Sequence, residues 1–236
     1  MMSSLSNWRS KKPEARMAFR PTSGFFGKGG IRMKILEVKA LAIPEIKVIR
    51  FARFADARGF FSELFRKNDF GKLDFQKGIE FLQCNESYSR AGTVRGLHFQ
   101  WNPTMGKLVR TLSGRMVDLV LDIRRGSPTF GKVIAYDMPG DSNAGFGEWI
   151  WVPPGFAHGN YFDRESRIEY FCTGEYNPDC EAGISPISED IDWSLCDPLL
   201  KSGFHAIMAG NPLISEKDRN GHTLSSWIRN PNSDLF

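Results

Sequence analysis

From Leu36 onward the chain alternates short apolar stretches with turn residues, and a period of two recurs among them. At positions 117, 119, 121 and 123 every residue is apolar. On the other parity Met116, Asp118, Asp122 and Arg124 are mostly polar, with Val120 as the exception. Alternation of this kind predicts a strand buried on one face. Residues 107–112 precede it, and the intervening Ser113-Gly114 predicts a hairpin between the two. Residues 148–152, halted by Pro153-Pro154-Gly155, and residues 167–173 predict further strands. If the last of these stays extended to 176, then Ile168, Tyr170, Cys172, Gly174 and Tyr176 share a face. Two phenols there line a barrel mouth, or else are core aromatics with hydroxyls at the rim. Helical signal is confined to residues 67–73 and short turns near 188–200, and His205 and His222 fall in loop-like text. The expected fold is all-β, an antiparallel sandwich or barrel of the jelly-roll kind.

The share of hydrophobic residues, 41%, is enough to bury a sizeable core, and the 19 phenylalanines suit strands better than a helical bundle. No apolar run approaches the roughly 20 residues that a membrane-spanning helix needs. The formal charge of +4 divides unevenly, because residues 1–34 carry eight Lys/Arg against Glu14 alone and the remainder is net negative. The basic character therefore belongs to a leader, residues 1–32, and is poor evidence for nucleic-acid binding by the body, residues 33–236. The leader has no sustained period, which predicts a segment without regular structure or a start codon placed ahead of Met33. Its Arg- and Ser-rich, acid-poor composition also fits an organelle transit peptide. Cys84, Cys172, Cys180 and Cys196 form no Cys-x-x-Cys pair, which argues against a structural zinc site or a disulfide scaffold.

His98 lies in Val94-Arg-Gly-Leu-His-Phe-Gln100, where Gly96 permits a bulge or a close backbone approach. A histidine in a strand is usually a hydrogen-bonded structural residue. Here Arg95, Gln100, Gln83 and Asn85 surround it with groups suited to an anionic ligand. His158 follows a Pro-Pro-Gly turn into a strand. Arg58, beside Gly59, can clamp a phosphate bidentately or form a surface ion pair with Glu63, and Arg95 and Lys107 carry the same ambiguity. No dinucleotide fingerprint, Walker loop, Gly-x-Ser-x-Gly elbow or His-Glu-x-x-His is present.

Taken together, these segments resemble the dTDP-4-dehydrorhamnose 3,5-epimerase family. The resemblance rests on Asp56-Ala-Arg-Gly-Phe-Phe-Ser-Glu63, Gln83-Cys-Asn-Glu-Ser87, Arg95-Gly-Leu-His-Phe-Gln100, Lys107-Leu-Val109 and Asp122-Ile-Arg-Arg-Gly-Ser-Pro-Thr-Phe-Gly131. It continues through Pro154-Gly-Phe-Ala-His-Gly159, Tyr170-Phe-Cys-Thr173 and Ile214-Ser-Glu-Lys-Asp218, in family order. The resemblance implies a cupin-type jelly roll, a cytoplasmic homodimer with exchanged N-terminal strands, no metal and no organic cofactor. It implies a reaction of dTDP-rhamnose formation, conversion of dTDP-4-dehydro-6-deoxy-D-glucose to dTDP-4-dehydro-L-rhamnose. It also implies that His98 is the base, Asp218 its orienting carboxylate, Tyr170 the acid and Lys107 the cation near the C4 oxygen. Arg58, Glu63, Gln83, Asn85, Arg95, His158 and Tyr176 then hold nucleotide or sugar, Arg58 from the neighbouring subunit.

The chemistry agrees with these roles. A C–H proton leaves at neutral pH only if the adjacent carbonyl holds the charge as an enolate, and a 4-keto group activates both C3 and C5. Imidazole is a natural base near pH 7, and a cation at the developing oxyanion is a large catalytic contribution. Three departures from the family pattern stand out: the His98–Lys107 loop is one residue short, Ser185-Pro-Ile-Ser188 replaces a Trp-Asn-Asp-Pro stretch, and Asn160 replaces an aromatic. The alternatives are a single-centre epimerase acting on a related nucleotide sugar, a non-catalytic sugar-nucleotide-binding cupin, and a metal-dependent cupin. The last would have to ligate its metal with His98, Gln100 and His158, a poor donor set.

Overall fold

The structure, a computed structural model, describes residues 34–140 and 144–236, so the expected leader lies outside the described residues. Chain order is β1 (Ile35–Ala40), β2 (Lys47–Ala52), β3 (Phe54–Asp56), β4 (Gly59–Phe61), α1 (Lys67–Phe70), β5 (Gln83–Ser89), β6 (Val94–Gln100), β7 (Lys107–Ser113) and β8 (Arg115–Asp122). It continues with β9 (Val133–Pro139), β10 (Phe146–Val152), β11 (Phe156–Tyr161), β12 (Ser166–Cys172), β13 (Glu181–Gly183), α2 (Pro198–Ala209), α3 (Glu216–Arg219) and α4 (Leu224–Trp227). Two antiparallel sheets face each other, one ordered β1-β2-β10-β7-β12-β5 and the other β13-β6-β11-β8-β9. This is the expected all-β jelly roll. No helix among the described residues is long and apolar enough to cross a membrane.

Three apolar layers hold the sheets. Val48, Val109, Ile150 and Ile168 of the larger sheet meet Met116, Val120, Ile134 and Phe156 of the smaller one between them. The outer face of the larger sheet is covered by Phe65, Phe70, Phe75 and Phe81. The outer face of the smaller sheet is covered by the C-terminal third, through Ile184, Phe204, Leu224 and Trp227. That last layer corrects the reading of residues 117–123. The strand is buried on both faces, since the C-terminal segment packs on the face opposite the interior. Its two aspartates are fully buried and paired: Asp118 with His158, and Asp122 with Arg124, Ser127 and Thr129.

The expected hairpin between residues 107–112 and 117–123 does not form. β7 pairs with β10 and β12 in the larger sheet, whereas β8 pairs with β9 and β11 in the smaller. Ser113-Gly114 is a corner between sheets, and Gly114 makes it at φ 80°, where a Cβ would stand 2.2 Å from the Glu165 carbonyl oxygen. The short helix near residue 67 is present but stops at Phe70. His205 lies on a 12-residue helix rather than in a loop. Asp197 caps that helix by accepting from Leu199 N–H at 2.8 Å, and Pro198 occupies its first turn.

Candidate active site

At one end of the inter-sheet space polar side chains replace the apolar layer. On β6, Leu97 and Phe99 join the outer core, which leaves His98 and Gln100 on the inward face. Gly96 allows this strand to press against β11, because its φ of 102° and a virtual Cβ only 2.5 Å from Gly159 Cα leave room for no side chain. The Gly96 N–H donates to Asp218 Oδ2 at 3.3 Å, and His98 Nε2 meets Asp218 Oδ1 at 2.7 Å. Asp218 arrives on α3, whose cap Ser215 accepts the Asp218 N–H at 3.1 Å. Burial alone would raise the Asp218 carboxyl, but the bonds from His98, Gly96 and Ser215 outweigh it and hold the pKa below the ordinary carboxylate value. An ionised carboxylate accepting from Nε2–H leaves the basic lone pair of His98 on Nδ1.

His98 borders two spaces. The inner cavity, about 330 Å³, is walled by Gln83, Asn85, Lys107, Tyr170, Cys172 and Tyr176 among others. The outer basin, about 500 Å³, contains Arg90, Arg95, Lys217 and Asp218. Within the inner cavity, no carboxylate among the described residues comes within ion-pair distance of Lys107, and burial pulls its ammonium pKa below the usual lysine range. A desolvated ammonium attracts a developing oxyanion more strongly than one in water. Burial also pushes the Tyr170 phenol up, so it is protonated at neutral pH.

Most of the residues singled out in the sequence converge here. His98, Lys107, Gln83, Asn85, Tyr170 and Tyr176 line the inner cavity, and Arg95 and Asp218 line the outer basin beside His98. Tyr176 arrives by a different route than extended backbone, since β12 ends at Cys172 and a turn carries the chain onward. Gln83 Oε1 anchors that turn by accepting the Tyr176 N–H at 2.8 Å. Arg58, Glu63 and His158 line neither space. Arg58 is 90% exposed on the β3–β4 hairpin and pairs with Asp56 rather than Glu63, which pairs with Arg66 instead. His158 sits in the same wall as its register partner His98, bonded to Asp118 at 2.6 Å.

Several site residues escaped the sequence reading. Gln100, in the sequence a neighbour of His98 or a poor metal ligand, donates to the carbonyls of Pro103 and Glu175 and accepts from Asn177 N–H, pinning both loops at the cavity mouth. Lys217 bonds Glu181, which in turn accepts from Tyr176 Oη at 3.0 Å. Its place beside Asp218 in Ser215-Glu-Lys-Asp was the available signal. Among the described residues no group of three or more His, Cys, Asp or Glu is arranged to hold a metal ion.

Residues 40–226 match the family model of dTDP-4-dehydrorhamnose 3,5-epimerase. The chain is 40% identical to the dTDP-4-dehydrorhamnose 3,5-epimerase of Sinorhizobium fredii over 159 residues, 66% of this chain and 78% of that one. It superposes with TM-score 0.68 and 33% identity on the dTDP-6-deoxy-D-glucose-3,5-epimerase of Legionella pneumophila in complex with dTDP-4-keto-L-rhamnose, covering 80% of this chain and 93% of that one. ChmJ, a 3'-monoepimerase from Streptomyces bikiniensis in complex with dTDP-quinovose, is 25% identical with TM-score 0.66, covering 80% and 89%.

Proposed function

The chain belongs to the dTDP-4-dehydrorhamnose 3,5-epimerase family and is an isomerase acting on nucleotide sugars, and we propose that it inverts a 4-keto-6-deoxy nucleotide sugar at both C3 and C5. The substrate is dTDP-4-dehydro-6-deoxy-D-glucose and the product dTDP-4-dehydro-L-rhamnose. His98 removes each carbon-bound proton, Asp218 fixes its tautomer, and Lys107 receives the C4 oxygen as it becomes an enolate. Tyr170 returns a proton to C5 from the far face. The observation that carries this reading is the placing of His98 and Tyr170 on facing sheets with one cavity between them. A base on one wall and an acid on the other is the geometry that inversion requires.

The diphosphate occupies the outer basin beside Arg95 and Lys217, while Gln83, Asn85 and Tyr176 hold the sugar end. His158 backs His98 from within the wall. Arg58 and Glu63 act on the site of a second copy in a homodimer that exchanges N-terminal strands. Support for that pairing comes from apolar side chains standing in solvent on β1 and the β3–β4 hairpin, Leu36, Val38, Phe54, Phe60 and Phe61. Four free thiols suit action in the reducing cytoplasm.

Incubation with the 4-keto-6-deoxy nucleotide sugar in deuterated water tests the reading. Two deuterons, at C3 and C5 of an inverted product, are expected. A single deuteron assigns the chain to one-centre chemistry like that named for ChmJ, and no exchange above background reduces it to a binding protein.

A further inference from the structure

A base that strips protons from two carbons on one face of a ring leaves two carbons to be reprotonated from the other. The wall facing His98 supplies Gln83, Asn85, Lys107, Tyr170 and Cys172. Amides are not acids at this pH, and Lys107 is committed to the oxyanion. Tyr170 and Cys172 remain as the groups on that wall with a proton to give, since the Tyr176 phenol at the mouth donates its hydrogen to Glu181.

Their arrangement suits two reacting carbons that flank one carbonyl. Both lie on the inward face of β12 two residues apart, a spacing of about 6.7 Å between Cα atoms. Cys172 is the register partner of Lys107, so its thiol neighbours the ammonium that holds the C4 oxygen. A single amide serves both acids. Asn85, the register partner of Tyr170, bonds the Tyr170 side chain and directs its Nδ2–H to Cys172 Sγ at 3.8 Å. Sulfur that accepts from Asn85 keeps its own hydrogen uncommitted, and the same bond stabilises the thiolate left behind. Burial keeps the thiol protonated until then.

Resting on the two-centre reading above, we propose that Cys172 is the proton donor at C3, as Tyr170 is at C5. His98 takes the C3 proton, the C–H pair forms the C3=C4 bond, and the carbonyl pair moves onto the C4 oxygen. When the carbonyl re-forms, C3 takes the hydrogen of the thiol from the opposite face. The S–H bond breaks, the thiolate recovers its proton from solvent through the cavity mouth, and His98 releases the C3 proton to solvent before it serves C5.

The test is the configuration and deuterium content of C3 and C5, read by NMR in deuterated water for Cys172→Ala and Cys172→Ser. Serine keeps the shape and the bond from Asn85 but is a far weaker acid. Both variants should still exchange C3 with retained configuration and should invert C5 within about threefold of wild type. Inversion at C3 should fall at least about tenfold in both. If Ser restores C3 inversion to within about threefold of wild type, the thiol is a packing residue and the assignment falls. Equal loss at both centres also overturns it. A wild-type enzyme that inverts C5 alone removes the two-centre reading and this donor together, whereas a wild type active at both centres beside unimpaired variants removes only the donor.

Discussion

Two histidines face each other across β6 and β11, each bonded through Nε2 to an aspartate, at 2.7 Å for His98–Asp218 and 2.6 Å for His158–Asp118. In bond length and in the ring nitrogen used they are nearly identical. They differ in access: the His98 side chain is 34% exposed and borders two cavities, while that of His158 is 7% exposed and borders neither. They differ also in connection, because Asp118 comes from the strand beside His158 whereas Asp218 is brought in by a separate short helix. A histidine–carboxylate pair is therefore no mark of a base by itself. In the mechanism proposed above the pair with an open flank does the chemistry, and the closed pair ties β8 to β11 beside it.

The largest effects should come from splitting the two pairs. His98→Ala should lower turnover by about 10²–10⁴-fold, with a smaller loss of stability than His158→Ala because its flank is open to water. His158→Ala should cost about 3–5 kcal/mol of stability, since it leaves the fully buried Asp118 carboxyl without its partner, and denaturant titration measures this. A stable, inactive His158→Ala would break the distinction. Gly96→Ala tests the contact that seats both histidines. Its Cβ would meet Gly159 at 2.5 Å on backbone of positive φ, so about 2–4 kcal/mol of stability should be lost along with activity.

Asp218→Asn should lower kcat by about 10–100-fold with KM little changed. It also carries a pH signature. The folded-state carboxyl titrates below the unfolded value of about 3.9, so its stabilisation is complete above that pH and is lost as pH falls through the folded value. The stability gap between wild type and Asp218→Asn should accordingly close on acidification below about pH 4, and a gap constant down to pH 2 would contradict the pairing. The smallest effect belongs to the cavity mouth. Tyr176→Phe loses the bond to Glu181 at an exposed site and should raise KM by a few-fold while leaving kcat alone.

The same contrast explains what the sequence made legible. Alternation and turn residues located β7, β8, β10 and β12. Alternation misjudged residues 117–123, since Asp118 and Asp122 read as solvent-facing when their partners, His158 and Arg124, take them inside. Ser113-Gly114 looked like a hairpin because a turn between strands within one sheet and a corner between two use the same residue types. The helix at 198–209 was missed although Asp197-Pro198 is a capping signal, as Gly203 within it weakens the helical pattern. His98 stood out among anion-binding neighbours. Its carboxylate lies 120 residues away, and only resemblance joined the two.

That separation along the chain has a consequence for biosynthesis. Every strand, from β1 to β13, is translated before Ser215 and α3. A domain folds as a unit, and the segment that carries Asp218 also carries Phe204, Leu224 and Trp227, which close the outer face of the smaller sheet. The last quarter of the chain thus completes the core and delivers the carboxylate to His98 in one step. A polypeptide cut short after β13 would lose both together, exposing Leu97, Phe99, Leu119 and Leu121.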